Sequence, residues 1–98
     1  MTKTYPKTKK GACKVRFELP KQVQAQTAQL LGDFNGWDPN ATPLKRKRDG
    51  SFSTALTLEA GRDYRFRYLL DNERWENDWN ADRYEVNEFG TEDSVVRL

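Results

Sequence analysis

Apolar and polar residues alternate with a period of two along much of this chain, beginning at Ala12. Val15, Phe17 and Leu19 fall on one face and Lys14, Arg16 and Glu18 on the other, the pattern of a half-buried strand that Pro20 closes. A second strand is expected from about Thr27 to Asp33, with Ala28, Leu30 and Gly32 sharing a face. It runs into Asn35-Gly36-Trp37-Asp38-Pro39-Asn40, whose turn-forming residues end any regular element. After a short basic piece at Pro43 to Arg48, Asp49-Gly50 signals a hairpin into Ser51 to Leu58, where Phe52, Leu56 and Leu58 share a face. Ala60-Gly61 marks the next turn. Asp63 to Leu70 then alternates cleanly, with Tyr64, Phe66, Tyr68 and Leu70 inward and Arg65 and Arg67 outward. Beyond Asp71-Asn72 follow a piece at Arg74 to Glu76, a polar stretch, a short segment near Tyr84 to Val86 and a final strand at Ser94 to Leu98. No segment has helical periodicity. The pattern predicts an all-β fold, an antiparallel β-sandwich of about seven strands with Phe17, Leu30, Phe52, Leu56, Phe66 and Tyr68 in its core.

Length and charge narrow this picture. The 98 residues suit one hydrophobic core, so residues 12–98 are expected to form a single domain. Residues 1–11, with Lys3, Lys7, Lys9 and Lys10 and few apolar side chains, read as a disordered basic tail. No apolar run approaches the roughly 20 residues of a membrane span, and the basic N-terminus lacks a signal-peptide core, so a soluble cytoplasmic protein is expected. Histidine is absent, which excludes imidazole catalysis and most zinc sites. Cys13 is alone, which excludes an internal disulfide and a multi-cysteine metal site, and reads as a small core residue. No cofactor or metal is expected. The net charge of +2 is unevenly spread: residues 1–48 hold 11 Lys or Arg against 3 acids, and residues 49–98 hold 6 against 12. A basic half suggests nucleic acid, but an acidic half packed into the same domain offsets its field, so a nucleic-acid partner is not expected. Lys45-Arg46-Lys47-Arg48 suits a phosphate or, more simply, an edge strand that charge keeps from pairing with another chain.

Three tryptophans, Trp37, Trp75 and Trp79, stand among Asn, Asp, Gly and Glu rather than in apolar runs. Each either folds down to cap an open end of the sandwich, a role best suited to Trp79, or offers an indole face on which the apolar face of a sugar ring stacks. The carboxylates Glu73, Glu76, Asp78, Asp82, Glu85 and Glu88 are numerous enough to include a pair at hydrolase spacing, but glycoside cleavage needs a cleft and one raised pKa. These acids are expected on exposed loops, and no catalysis is expected.

The motifs GDFNGW at Gly32 to Trp37, YRFRYLLDNERWEND at Tyr64 to Asp78 and FGTEDSVV at Phe89 to Val96 occur in order and at separations that resemble carbohydrate-binding module family 48. These are the early-set domains N-terminal to isoamylases and glycogen-branching enzymes, and the glycogen-binding domain of the β subunit of AMP-activated protein kinase. The resemblance covers Lys14 to Leu98 and looks closest to short stand-alone bacterial versions. It implies an immunoglobulin-like early-set sandwich that binds α-1,4-linked glucan such as glycogen, starch or maltooligosaccharides. By the same resemblance Trp37 and Trp75 are the sugar-stacking platforms, and Arg67 takes the place of a sugar-contacting lysine. Phe89 takes that of an apolar residue beside the sugar ring, Thr91 matches a threonine, and Asp93 stands where the glycogen-binding members have an asparagine. The alternative is a protein-interaction module that docks on a carbohydrate-metabolising enzyme and has lost the sugar site.

Overall fold

In the computed structural model, which describes residues 1–98, nine strands follow one another with two single-turn 3-10 helices between them. The strands are β1 (Thr2–Thr4), β2 (Ala12–Leu19), β3 (Ala28–Gly32), β4 (Lys45–Arg46), β5 (Phe52–Glu59), β6 (Asp63–Leu70), β7 (Arg74–Glu76), β8 (Arg83–Val86) and β9 (Glu92–Arg97). One antiparallel sheet has the order β1-β2-β5-β4 and the other β3-β6-β9-β8. The short β7 also pairs with β6, through Tyr68 to Leu70, while β9 pairs with Asp63 to Phe66 of the same strand. The two sheets pack as the expected immunoglobulin-like sandwich. Strands β1, β4 and β7 are three residues or shorter, which is why the alternation shows about seven. No helix is long and apolar enough to cross a membrane.

The core follows from the alternation. Phe17 of one sheet meets Phe66 of the other edge to face, with ring centroids 5.1 Å apart, and Phe66 meets Tyr68 at 5.7 Å. Cys13, Val15, Leu30, Leu70 and Val96 complete the layer between the sheets, and all are fully buried. Leu56 packs against this cluster only in part, because β5 extends past its edge.

Three expectations need correction. Residues 1–11 are not wholly a disordered tail, since Thr2–Thr4 forms β1 against Lys14–Arg16 of β2. Backbone pairing with an edge strand, and the Lys3 ammonium on Asp82 at 2.6 Å, replace the apolar contacts this stretch lacks. Trp79 is not a core residue: it is 53% exposed. And the carboxylates are not all on exposed loops, because Asp78 is buried beneath the loop that follows β7. Its Oδ2 accepts the Tyr68 hydroxyl at 2.7 Å, its N–H donates to Ser94 Oγ at 2.8 Å, and its Oδ1 accepts the Asn80 N–H at 2.8 Å. A buried carboxylate satisfied in this way costs far less than an unpaired one. Burial, and then the charge of Asp78, push the Tyr68 phenol well above its usual pKa.

Candidate functional site

The segment GDFNGW folds into a compact turn that aims its last residue outward. Asn35 Oδ1 accepts the Gly32 N–H at 3.0 Å, and its amide donates to Leu30 O at 2.8 Å and Thr42 Oγ1 at 3.0 Å. Gly36 and Trp37 both take left-handed backbone angles, φ 65° and 58°, and the Trp37 N–H closes the turn on Gly32 O at 3.0 Å. Phe34 is driven inward, 5.6 Å from Phe17 and 6.0 Å from Tyr64, and anchors the turn in the core. Asp33 then fixes the indole: Oδ1 accepts Trp37 Nε1–H at 3.1 Å while Oδ2 accepts the Arg65 backbone N–H at 2.9 Å. Trp37 is therefore half-buried and oriented by a carboxylate that is itself tied to β6.

The outward face of the β6 sheet supplies the floor. Arg67 projects from β6, and its guanidinium lies 4.9 Å from the centroid of the Trp75 ring, close enough for a cation–π contact. Register explains this proximity, since Trp75 pairs with Leu69 and so sits diagonally across from Arg67. Arg67 Nε is buried with no hydrogen-bond partner, a donor left unmatched at this floor. Trp75 is 44% exposed. The far wall is the β8–β9 turn, closed by Asn87. Its Oδ1 accepts the Phe89 N–H at 2.9 Å and the Thr91 N–H at 3.2 Å, and its amide donates to Thr91 Oγ1 at 2.8 Å and Asp93 Oδ1 at 3.1 Å. With the turn held by that one side chain, the Phe89 ring stands 81% exposed.

Trp37, Arg67, Trp75, Phe89, Thr91 and Asp93, the six residues singled out in the sequence, line one open groove of about 830 Å³. They come from the β3–β4 turn, β6, β7, the β8–β9 turn and β9. Asp33, Arg65, Asn87 and Glu88 complete the lining; none of the four was expected to contact sugar, and Glu88 was counted only among the carboxylates weighed for hydrolysis. Arg65 was within reach, because it is two residues from Arg67 on the same face of β6. Asp93 is almost wholly buried, and its Oδ2 lies 3.4 Å from the Arg65 guanidinium. That guanidinium also binds Glu85 at 2.9 Å, and Glu85 in turn binds Arg83 at 2.6 Å. Asp93 and Glu85 are thus neutralised by arginines of the sheet, whereas Arg67 has no carboxylate partner.

A two-sheet sandwich whose outer face carries two tryptophans, an unpaired arginine and a projecting phenylalanine belongs to the class of small ligand-binding β-modules. Its family is settled by comparison: the model of carbohydrate-binding module 48 (isoamylase N-terminal domain) matches residues 14–85, and the chain belongs to that family of carbohydrate-binding modules. Over 55 residues, 55% of the chain, it is 34% identical to the 1,4-alpha-glucan branching enzyme GlgB of Aquifex aeolicus (strain VF5). That stretch is 9% of the enzyme's length, so the likeness concerns a small part of the relative.

Proposed function

We propose that the groove binds α-1,4-linked glucan by stacking sugar rings on Trp37 and Trp75, and that the domain performs no chemistry on it. What carries the reading is the convergence of both indoles, Arg67 and Phe89 on one open groove from separate segments of the chain. Sugar rings present C–H faces that suit indoles and hydroxyls that suit charged and amide groups. Arg67, which has no carboxylate partner, donates to ring hydroxyls through its guanidinium edge, while Thr91 accepts at the opposite wall. Asp93, engaged by Asn87 and Arg65, shapes the wall rather than contacting sugar. The non-catalytic reading is supported by geometry as well: of the three carboxylates lining the groove, Asp33 and Asp93 are spent on holding neighbours and Glu88 is exposed, and the groove is open to water, which opposes the raised pKa a general acid needs.

Covering one face of an indole removes on the order of 100 Å² from water, or about 2.5 kcal/mol. Two such faces, less the cost of ordering a flexible chain, correspond to dissociation constants of roughly micromolar to millimolar. Calorimetric titration with maltoheptaose is expected to give binding in that range. Trp75→Ala is expected to weaken it by about ten- to a hundredfold with little loss of stability, since the indole is nearly half exposed, and Arg67→Ala by less. An absence of heat and of indole fluorescence change at millimolar maltoheptaose would favour a docking module without a sugar site.

A further inference from the structure

Trp79 lies outside the groove and is exposed. Its neighbours are pinned: Asp78 by Tyr68, Ser94 and Asn80, and additionally through its carbonyl by the Tyr84 hydroxyl. Ser94 Oγ in turn donates to Asn77 Oδ1 at 2.8 Å. These bonds fix the backbone that carries Trp79, and 53% of the residue is left in water, its Nε1–H making only a 3.5 Å contact to Glu76. Beside it a crevice of about 320 Å³ opens between the two sheets, lined by Trp79, Asn80, Leu19, Phe52, Glu18 and Lys47 among others. It shares no residue with the groove. The ion pairs of the chain use Lys3, Arg65 and Arg83 as their cations, so the Lys47 ammonium is unpaired.

We propose that this crevice is a second carbohydrate subsite, in which a sugar ring stacks on the exposed Trp79 indole and its hydroxyls bond Lys47, Asn80 and Glu18. The ligand class rests on the glucan reading of the groove. Like the groove, it sets an exposed indole near an unpaired cation, and here the Asn80 carboxamide and the Glu18 carboxylate stand beside them. Trp75 and Trp79 are four residues apart, so their Cα atoms are at most roughly 14 Å from each other. A chain of several sugar rings reaches that far, and a second contact on the same molecule raises the apparent affinity for long glucans over short ones.

The three indole N–H resonances, assigned with single Trp→Phe variants, test this in a titration of the whole chain with maltoheptaose. The expected result is that the Trp79 resonance moves to saturation in the wild type and still moves in Trp75→Ala, while glycogen affinity falls about tenfold in Trp79→Ala and maltotriose binding at the groove is unchanged. A Trp79 resonance that stays still while Trp37 and Trp75 respond, or that stops moving in Trp75→Ala, overturns the second subsite and leaves the groove reading intact. Movement of Trp79 alone keeps the crevice and removes the groove, and silence of all three removes both.

Discussion

Gly32→Ala is the smallest change that should disturb both the fold and the groove. Gly32 has extended angles, φ −171° and ψ −178°, which alanine adopts freely, so any cost is steric. A Cβ there would lie 2.7 Å from the Arg65 carbonyl oxygen and 2.7 Å from Phe34 Cζ, against roughly 3.5 to 4.0 Å for comfortable carbon contacts. The carbonyl belongs to β6, where Arg65 pairs with Val95 of β9 and the next residue, Phe66, pairs with Gly32 itself, so it cannot withdraw without stretching those ladders. The Phe34 ring can swing, but only away from Phe17 and Tyr64. Overpacking of this kind costs about 1 to 3 kcal/mol, and the backbone clash places Gly32→Ala toward the upper end. At roughly 4 to 8 °C per kcal/mol for a domain of this size, the melting temperature should fall by about 8 to 20 °C in thermal unfolding followed by circular dichroism. Glucan binding should weaken as well, because Phe34 anchors the turn that carries Trp37. Shortening the obstacle with Phe34→Leu should relieve part of the cost, so the double variant should be less destabilised than the two single variants added together, by about 1 kcal/mol. A melting point for Gly32→Ala within about 2 °C of wild type, or strict additivity in the cycle, would refute the reasoning.

Asp33→Ala removes the acceptor of Trp37 Nε1–H and strands the Arg65 N–H, so it should cost about 1 to 3 kcal/mol of stability. It should also speed deuterium exchange at the Trp37 indole and weaken maltoheptaose binding, and unchanged exchange would count against the role given to Asp33. Asp71 accepts the Thr27 N–H at 3.0 Å and the Gln26 N–H at 2.8 Å, and these two bonds hold its carboxyl below the usual carboxylate range. A lowered folded-state pKa means stability that is complete above about pH 4 and lost as pH falls through the folded value. Asp71→Asn keeps an uncharged acceptor for both N–H groups and tolerates φ 53°, so in urea unfolding it should be less stable than wild type at neutral pH, and the gap should close as pH falls below about pH 4. Parallel curves for the two proteins would contradict this.

Period-two alternation made β2, β3, β5 and β6 legible, because each turns one face to the core, whereas β9 is buried from Asp93 to Val96 and does not alternate. It could not reveal β1, whose Thr-Lys-Thr has no apolar face and whose ion-pair partner Asp82 is 79 positions away. Trp79 and Asp78 inverted the usual rule that indoles are buried and acids exposed. The acid is buried because Tyr68 and Ser94 reach it across the fold, and the neighbouring indole is thereby held out. The groove residues carried by motifs came together as the resemblance implied, while Asp33 and Asn87 went unremarked because their work is to hold other residues. Asn87 closes a five-residue turn, and such a role shows only once the turn is folded.

The flanks of the sandwich have a consequence for crowding. Residues 42–44 run along the outer edge of β3, through Leu30 N–H to Thr42 O at 2.8 Å and Leu44 N–H to Ala28 O at 2.9 Å, before the chain crosses to join β4 in the other sheet. On the opposite flank Lys3 of β1 reaches Asp82 and the Arg97 carbonyl, tying the first sheet to the second. Both flanks are tied at points, and the edge strands β1, β4 and β8 are only three, two and four residues long. A polymer with a site every few sugar rings would gather many copies of a bound protein side by side, the condition under which exposed strand edges fuse into insoluble arrays. Edges this short and partly covered leave neighbouring copies little backbone with which to exchange hydrogen bonds.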